Sequence, residues 1–426
     1  MRATCGFLST HAIQTMPTIE SLRQAPRESA RTSHASRLIL FLTVFIDLLG
    51  FGIVIPFLPL FAERMHISAG GIGLILAIYS AAQFICAPIL GRVSDRIGRR
   101  PIIMLGLLGS SVSYVIYGFA GSFAILLLSR AIHGACAATI STAQAYIADT
   151  TAESERARGM GMIGAAFGLG FVLGPALGGL LGQKSLHMPV FFAAGLTFAN
   201  LIFAALALPE SHPAASGTSI GWLSGASRFT SFSRGLANPL LTRLFAIAFL
   251  ITTAMAAFEV TFAMMVPRVY GYGALGVGVL LAYAGLVQAI TQGYLLGKLV
   301  ARMGDRRVLL AGMLVFTIGI APLASLGSHL ALLVFLALLS LGYGFASPAV
   351  ATLISKGAAR HLQGEVLGLN QSAMSLARIA GPIGGGLAYQ FFGPAAPYLA
   401  AGALTAGALI LLPTNHSISA ARENQA

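Results

Sequence analysis

Long apolar runs recur along this chain and constrain its fold more than any other feature. Twelve stretches of about 20 residues or more are almost free of charge, and about 20 apolar residues are what a helix needs to cross a bilayer. Only 9% of the 426 residues are charged, against about 25% in soluble proteins. The sequence therefore predicts an all-α membrane protein with twelve transmembrane helices. We number these as spans 1–12, at roughly 38–61, 70–90, 101–121, 123–149, 159–182, 189–208, 241–267, 274–300, 307–328, 329–355, 365–392 and 394–413.

The loop Gly91–Pro101 between spans 2 and 3 sets their orientation, because it contains four arginines and one aspartate. If the spans alternate in direction, 21 of the 26 Lys and Arg residues lie on the side of this loop. Two lie inside spans, and three lie on the opposite side: Arg64, Lys184 and Arg268. Cytoplasmic loops are enriched in Lys and Arg. We therefore expect this basic side, with both termini, to be cytoplasmic, and the protein to be a multi-pass component of the cytoplasmic (inner) membrane.

The net charge of +13 is spread over separate loops instead of one continuous face. A nucleic-acid-binding protein concentrates such charge on one face or helix. The pattern therefore excludes nucleic acid as a partner and indicates contact with lipid head groups.

Two motifs recur at nearly the same offset. The pattern G-R-x-x-D-R-x-G-x-R at 91–100 returns 206 residues later as G-K-x-x-A-R-x-G-x-R at 297–306. The pattern G-P-x-x-G-G at 174–179 returns 207 residues later at 381–386. The copies are six spans apart and enter the membrane in the same direction, which predicts two parallel halves related by an axis along the membrane normal.

These repeats define the expected domains. A six-helix bundle at 38–208 and a second at 241–413 are joined by the polar cytoplasmic linker 209–240. Residues 1–37, which lack the apolar region of a secretory signal, and residues 414–426 are expected to be cytoplasmic tails.

Charged side chains deep inside spans are costly and usually functional. Asp47 in span 1, Arg130 in span 4 and Glu259 in span 7 form our predicted proton-coupling set. For the carboxylates, the alternative is a structural hydrogen bond to a neighbouring helix. His133, one turn after Arg130, either relays protons or bonds a backbone carbonyl.

Polar and aromatic residues within the spans predict a central substrate cavity. For Tyr79 and Gln83, which share one helix face, hydrogen bonds between helices are the alternative, and for Arg378 it is a structural ion pair. The predicted lining is Tyr79, Gln83, Gln144, Phe258, Gln288, Gln292, Asn370 and Arg378.

Glycines spaced three or four residues apart in span 5 form a bare helical stripe, which favours close packing of a neighbouring helix. Such a seam is structural, and it also has to move if the two halves move. The predicted helix-packing motif comprises Gly170, Gly174, Pro175, Gly178, Gly179, Gly381 and Pro382.

No catalytic or cofactor site is readable in the loops, which argues against an enzyme and against bound metal. The three cysteines have no metal-ligand spacing. Residues 178–185 approach a phosphate-binding loop, but Gln183 stands where its second glycine should be.

Several of these motifs resemble the major facilitator superfamily over essentially all of 38–413, particularly its drug/proton antiporters and tetracycline efflux proteins. Residues 91–101 are similar to the signature loop of that superfamily, and Gly170–Gly179 to the antiporter motif of span 5. Arg130 with Gly134 resembles the motif of span 4.

The resemblance implies proton-coupled efflux of small amphiphilic, drug-like molecules by alternating access. The expected partners are substrate, protons and lipid, without a cofactor, and the expected state is a monomer. Arg99 is expected to bridge Asp95 and Asp149, and Asp95 to meet the basic-side start of span 11. The expected conformational gate comprises Gly91, Asp95, Arg96, Gly98, Arg99, Arg100 and Asp149.

The sequence also departs from the tetracycline group. Ser113 stands where that group has an acid before a tyrosine, and Gln288 stands where it has a histidine. A symporter or uniporter of a small metabolite, such as a sugar or an organic acid, therefore remains the alternative.

Overall fold

The computed structural model describes the backbone of residues 19–151, 153–211, 238–325, 327–358 and 363–413. It describes the side chains of the same residues except 19–35, 153–154, 156–157 and 363–365. Most of the predicted central linker and the predicted tail at 414–426 lie outside these residues.

Every regular element in the described part of the chain is a helix, and the prediction of an all-α membrane protein is confirmed. Nine helices there are long and apolar enough to cross a membrane, and Ala396–Leu411 is a shorter apolar helix. In the order of the spans, the helices are Ile19–Val54 with Ile55–Phe57 and Leu58–Arg64 (span 1), Ala69–Ile97 (2), Arg99–Gly118 (3), Phe123–Cys136 with Thr139–Thr150 (4), Glu153–Gly182 (5), His187–Ala207 (6), Pro239–Tyr270 (7), Ala274–Ile290 with Thr291–Leu295 and Leu296–Met303 (8), Asp305–Ile320 (9), His329–Lys356 (10), Gln363–Phe392 (11), and Ala396–Ala408 with Leu409–Leu411 (12).

Two helix boundaries differ from the hydropathy pattern. The helix of span 1 begins at Ile19, although its apolar part begins near residue 38. Hydropathy detects where a helix enters lipid, whereas the helix itself continues through residues that suit water. The helix of span 9 ends at Ile320, before the predicted end at 328, and a turn follows.

The two repeat copies fold alike where they turn between spans. Gly98 and Gly304 each separate two helices with a positive φ, of +103° and +79°. Only glycine adopts this backbone region without a steric penalty. The glycines at these two positions are therefore required by the turn in each copy.

The glycine motifs of spans 5 and 11 also pack alike. Gly174 meets the backbone of Gly52 in span 1 so closely that neither residue has room for a Cβ atom. Gly381 packs in the same way against span 7, at Thr253. On its other side, span 5 packs against span 8 and span 11 against span 2, so both motifs also form the contact between the two halves.

Contacts between the halves concentrate on the side opposite the basic loops. There, Glu63 at the end of span 1 forms an ion pair of 2.8 Å with Arg268 of span 7. The Arg268 guanidinium lies 5.5 Å from the ring centroid of Tyr389, and the Gly70 amide donates to Gln390 Oε1 at 3.0 Å. These contacts join spans 1 and 2 to spans 7 and 11.

In the described part of the chain, the ion pair of Glu63 with Arg268 and the Gly70–Gln390 hydrogen bond both lie on the side opposite the basic loops. These polar contacts hold the two halves together on that side.

Candidate functional site

Asp47 lies in the interior of the first half, beside a break in span 4. The two helices of this span are interrupted at Ala137 and Ala138, and the Thr139 side chain hydrogen-bonds the Asp47 carboxylate. Gln83 of span 2 donates from Nε2 to the free carbonyl of Ala137 at 3.1 Å. This is the bond between helices that was the alternative interpretation of Gln83. Asp47 therefore has a neutral partner, Thr139, on the other side of the same break in span 4.

Aromatic rings surround His133 of span 4. The His133 ring centroid lies 5.0 Å from that of Tyr79, 4.9 Å from that of Tyr114 and 6.0 Å from that of Phe51. The residue is 4% exposed, and its Nδ1 atom has no hydrogen-bond partner. Tyr79 lies within electrostatic reach of Asp47, so the predicted cavity tyrosine and the predicted proton acceptor are neighbours.

Arg130 is 1% exposed and has no carboxylate within 4.0 Å among the described residues. Its guanidinium donates to Ser113 Oγ at 3.2 Å and lies 5.5 and 5.3 Å from the ring centroids of Tyr114 and Tyr117. Arg130 and Asp47, both members of the predicted proton-coupling set, form no ion pair with each other in this conformation. Tyr114 and Ser113 of span 3 lie beside the guanidinium instead.

The second half contributes Glu259 and Arg378. Glu259 is exposed, whereas Phe258 and Val260 beside it are buried. Arg378 acts electrostatically on Glu259, on Tyr343 of span 10 and on Tyr79 of the first half. Spans 2, 7, 10 and 11 thus converge around one guanidinium. In the described part of the chain this guanidinium has no ion pair or hydrogen bond, so the structural ion pair considered for Arg378 is absent.

The predicted cavity lining divides into two groups. Gln144 and Gln292 are exposed, and Tyr79, Gln288 and Arg378 are partly exposed, as a lining residue must be. Gln292 lies in the π-helical segment Thr291–Leu295, and such segments occur frequently at functional sites. No pattern in the amino-acid sequence signals this local change in helix type.

Phe258 and Asn370 do not line an open cavity, which corrects the sequence prediction. Phe258 is 2% exposed and packs against Phe262 at a centroid distance of 4.9 Å. Adjacent residues of a helix point about 100° apart. Because Glu259 lies on the exposed face of span 7, Phe258 faces into the bundle. Asn370 is 6% exposed, and its amide contacts Met374 Sδ at 3.6 Å.

Arg99 connects the residues of the predicted gate. It donates to Asp149 at 2.9 Å, to Ser94 Oγ at 2.7 Å, and to Asp95. The Asp95 side chain is 60% exposed, which leaves it accessible from the basic side. The expected contact of Asp95 with the start of span 11 involves side chains at 363–365, outside the described residues.

Two features of the ends of the helices were missed by sequence reasoning. Glu210, after span 6, accepts hydrogen bonds from the Arg99 and Arg100 amides at 2.8 and 3.1 Å and so caps span 3. Glu63 and Arg268 form the ion pair on the opposite side. Their opposite charges at nearly equivalent places in the two halves, 205 residues apart, were the available signal.

No site for a metal is apparent in the residues that the structure describes, where three or more His, Cys, Asp or Glu side chains do not cluster. The chemistry of the interior is instead that of two carboxylates, two guanidiniums and a set of tyrosines. Such groups can exchange protons and bind charged molecules.

Comparison with known proteins agrees with this architecture. The chain is 30% identical over 360 residues to multidrug resistance protein 2 of Bacillus subtilis (strain 168), covering 83% of this chain and 88% of the relative. It is 34% identical over 358 residues to the class C tetracycline resistance protein of Escherichia coli, covering 82% and 89%. The crystal structure of the human organic anion transporter MFSD10 (TETRAN) superimposes with a TM-score of 0.68 at 26% identity, covering 89% of this chain and 99% of that one.

A family model also spans nearly all of the predicted transmembrane region. The model of the Major Facilitator Superfamily matches residues 40–296 and 244–424. The two matches overlap at residues 244–296, in spans 7 and 8. The protein is therefore a multi-pass membrane transporter, and the chain belongs to the Major Facilitator Superfamily.

Proposed function

We propose that the protein exports small amphiphilic, drug-like molecules in exchange for protons, by alternating access. The observation that carries the proposal is the pair of intramembrane carboxylates, Asp47 and Glu259, neither of which forms an ion pair within the described residues. A carboxylate without a fixed cationic partner can be neutralised by a proton or by a cationic substrate, but not by both at once. This competition couples the two flows in opposite directions.

The positions of the two carboxylates support this role. Asp47 is bonded by Thr139 in the first half, and Glu259 is exposed beside Arg378 in the second. Tyr79 is within electrostatic reach of Asp47 in the first half and of Arg378 in the second, and Arg378 in turn acts on Glu259. We propose that a substrate bound between the halves is close enough to both carboxylates to compete with their protons.

Alternating access is supported by the contacts on the side opposite the basic loops. There, the ion pair of Glu63 with Arg268 and the Gly70–Gln390 hydrogen bond hold the halves together. We propose that the basic side is cytoplasmic, so that this conformation faces inward and can load substrate. The cluster of Arg99 with Asp95 and Asp149 is then the proposed gate that closes the basic side when the protein faces outward.

The test uses inverted membrane vesicles that are acidified inside by respiration. We expect wild-type vesicles to lose part of their pH gradient when a substrate is added, because substrate enters as protons leave. Asp47→Asn should abolish this response, while Asp305→Asn, which changes an acid outside the spans, should retain it. Full substrate-driven proton release by Asp47→Asn would contradict the coupling role.

Substrate identity is to be found with a susceptibility panel on cells that express the protein, with and without an uncoupler. Ser113 and Gln288 replace residues of the tetracycline group, so we expect tetracycline not to be the main substrate. Protection that the uncoupler abolishes supports proton-driven export. Protection that survives the uncoupler would contradict it.

Symport of an organic acid is the second candidate, and the unpaired Arg378 favours it. A guanidinium binds carboxylates in a bidentate manner, and the relative MFSD10 is an organic anion transporter. Symport moves protons and the acid together. Addition of an organic acid to inverted vesicles would then leave the pH gradient intact, whereas cells would accumulate the acid in proportion to the gradient.

A further inference from the structure

Arg130 carries a buried charge that forms no ion pair among the described residues. Asp47 acts electrostatically on Tyr79 and Tyr114, as Arg130 does, but its oxygens lie more than 4.0 Å from the guanidinium. Arginine stays protonated in proteins, so this guanidinium cannot escape the cost of burial by releasing a proton. Burial of such a charge is costly unless other groups compensate it, and the groups that contact this guanidinium, Ser113, Tyr114 and Tyr117, are neutral.

The groups around Arg130 lack hydrogen-bond partners as well. The unpartnered buried atoms of this region are Arg130 Nε, the hydroxyls of Tyr114 and Tyr117, and His133 Nδ1. Arg130 and His133 are one turn apart on span 4, and Tyr114 and Tyr117 are one turn apart on span 3. Two facing helices therefore direct hydrogen-bond donors into one small region.

The local chemistry selects the type of ligand. The arginine Nε–H and the tyrosine hydroxyls can all donate, and the Ser113 hydroxyl is already engaged, because it donates to the Ser129 carbonyl at 2.7 Å. Water could satisfy the donors but not the charge. A small anion satisfies both requirements.

The size of the ligand is limited by the aromatic cover. Phe51 and Tyr79 pack against the His133 ring on the cavity side, and Arg130 itself is 1% exposed. A drug-sized carboxylate cannot pass these rings without rearranging the core. We infer that Arg130, Tyr114, Tyr117 and His133 form a buried binding site for a monatomic inorganic anion of the size of chloride.

This inference does not depend on what the protein transports, and its test does not require transport. The full chain, purified in detergent, is melted at increasing sodium chloride with sodium gluconate held complementary, so that ionic strength is constant. Gluconate is too large for the site. We expect a saturable rise in Tm with chloride and with bromide, because a ligand that binds only the folded state stabilises it by mass action.

Ser113→Asp is the decisive variant, because Ser113 already contacts the guanidinium and an aspartate there supplies a built-in carboxylate. This variant should melt at the same temperature in chloride and in gluconate. Arg130→Gln should also lose the chloride response, and if it does not fold, Ser113→Asp alone decides. The matched control Arg268→Gln removes a guanidinium elsewhere and should keep the response.

Two results would overturn the inference. One is a wild-type melting temperature that does not change when gluconate is replaced by chloride. The other is a chloride response of unchanged size in Ser113→Asp, which would place the halide elsewhere on the protein. Loss of efflux with an intact chloride response would count against the proposed function and leave the anion site standing.

Discussion

The loop at 91–101 and its second copy at 297–307 share one set of contacts and differ in another. In both, a glycine with positive φ turns the chain. In both, an arginine two residues later binds the end of the last span of its own half: Arg100 donates to the Ala205 carbonyl, and Arg306 Nε donates to the Pro413 carbonyl at 2.6 Å. Carbonyls at a helix end lack partners within the helix, so these arginines have a structural role.

The ion pairs of the two loops differ. Arg99 at the start of span 3 is almost buried and joins Asp95 to Asp149. In the second copy, Ala301 replaces Asp95, and the charges that connect the next two spans are reversed, with Asp305 bound to Lys356 at 2.5 Å. The contacts that both loops share stabilise the turn itself. Among the described residues, the cluster of Arg99 with Asp95 and Asp149 occurs in the first half, which fits a gate on one half of the molecule.

The largest effect is expected from removing Arg99. Arg99→Met leaves Asp149 and Ser94 without their charged partner, and hydrogen bonds to charged groups are worth about 1.5–3 kcal/mol. We expect a loss of about 2 kcal/mol in stability and a severe loss of transport. Lys356→Met, the matched change in the second loop, should cost less, about 1 kcal/mol, because the Lys356 side chain is 46% exposed, although its partner Asp305 is largely buried. Thermal melts of both variants check this, and equal effects would remove the distinction between the loops.

A second variant separates gating from stability. Asp95 is 60% exposed, so Asp95→Asn should change Tm little, while the turnover of substrate in vesicles should fall several-fold. The affinity for substrate should be unchanged, since Asp95 lies far from the cavity residues in sequence and at the end of its span. Ala301→Asn is the control at the equivalent position and should leave turnover intact. An altered drug profile in Asp95→Asn would mean that this residue contacts substrate.

The sequence predicted the fold well because hydropathy, loop charge and the repeat each report on it independently. The number of spans follows from apolar length, whereas the orientation inferred from Arg and Lys stays a prediction. The bond of Arg99 with Asp149 was expected from the family resemblance, and both residues lie at helix ends on the basic side. These features depend on position along the chain, which the sequence displays directly.

The cavity was harder to predict, because a residue lines it only if its side chain points away from the neighbouring helices and into the open space. Phe258 and Glu259 are neighbours in sequence, yet one is buried in the bundle and the other is open. Gln83 was equally able to face a cavity or the Ala137 carbonyl, and the carbonyl became available only because span 4 breaks there. The sequence could not predict that no carboxylate of the described residues lies beside Arg130, because this depends on every residue that packs around the guanidinium.

A smaller effect is expected at Glu210, which caps the N-terminal end of span 3 in the first half. Glu210→Ala frees two backbone amides, and loss of an N-terminal cap typically costs about 1 kcal/mol. Hydrogen exchange at the start of span 3 should accelerate more than at the start of span 9, where Asp305 supplies its own acid within the first turn. Glu210→Gln keeps an acceptor oxygen and should recover part of the loss. Unchanged exchange in Glu210→Ala would show that water replaces the cap.

The smallest difference is expected between Arg100 and Arg306, where the two loops agree. Arg100→Met and Arg306→Met each remove one hydrogen bond to a carbonyl at a helix end. A typical hydrogen bond contributes about 1 kcal/mol, so the two melting temperatures should fall slightly and by similar amounts. Transport per folded molecule should be unchanged in both. If only Arg100→Met impaired transport, Arg100 would belong to the gate. The gate of the first half would then include Arg100 as well as Arg99, Asp95 and Asp149.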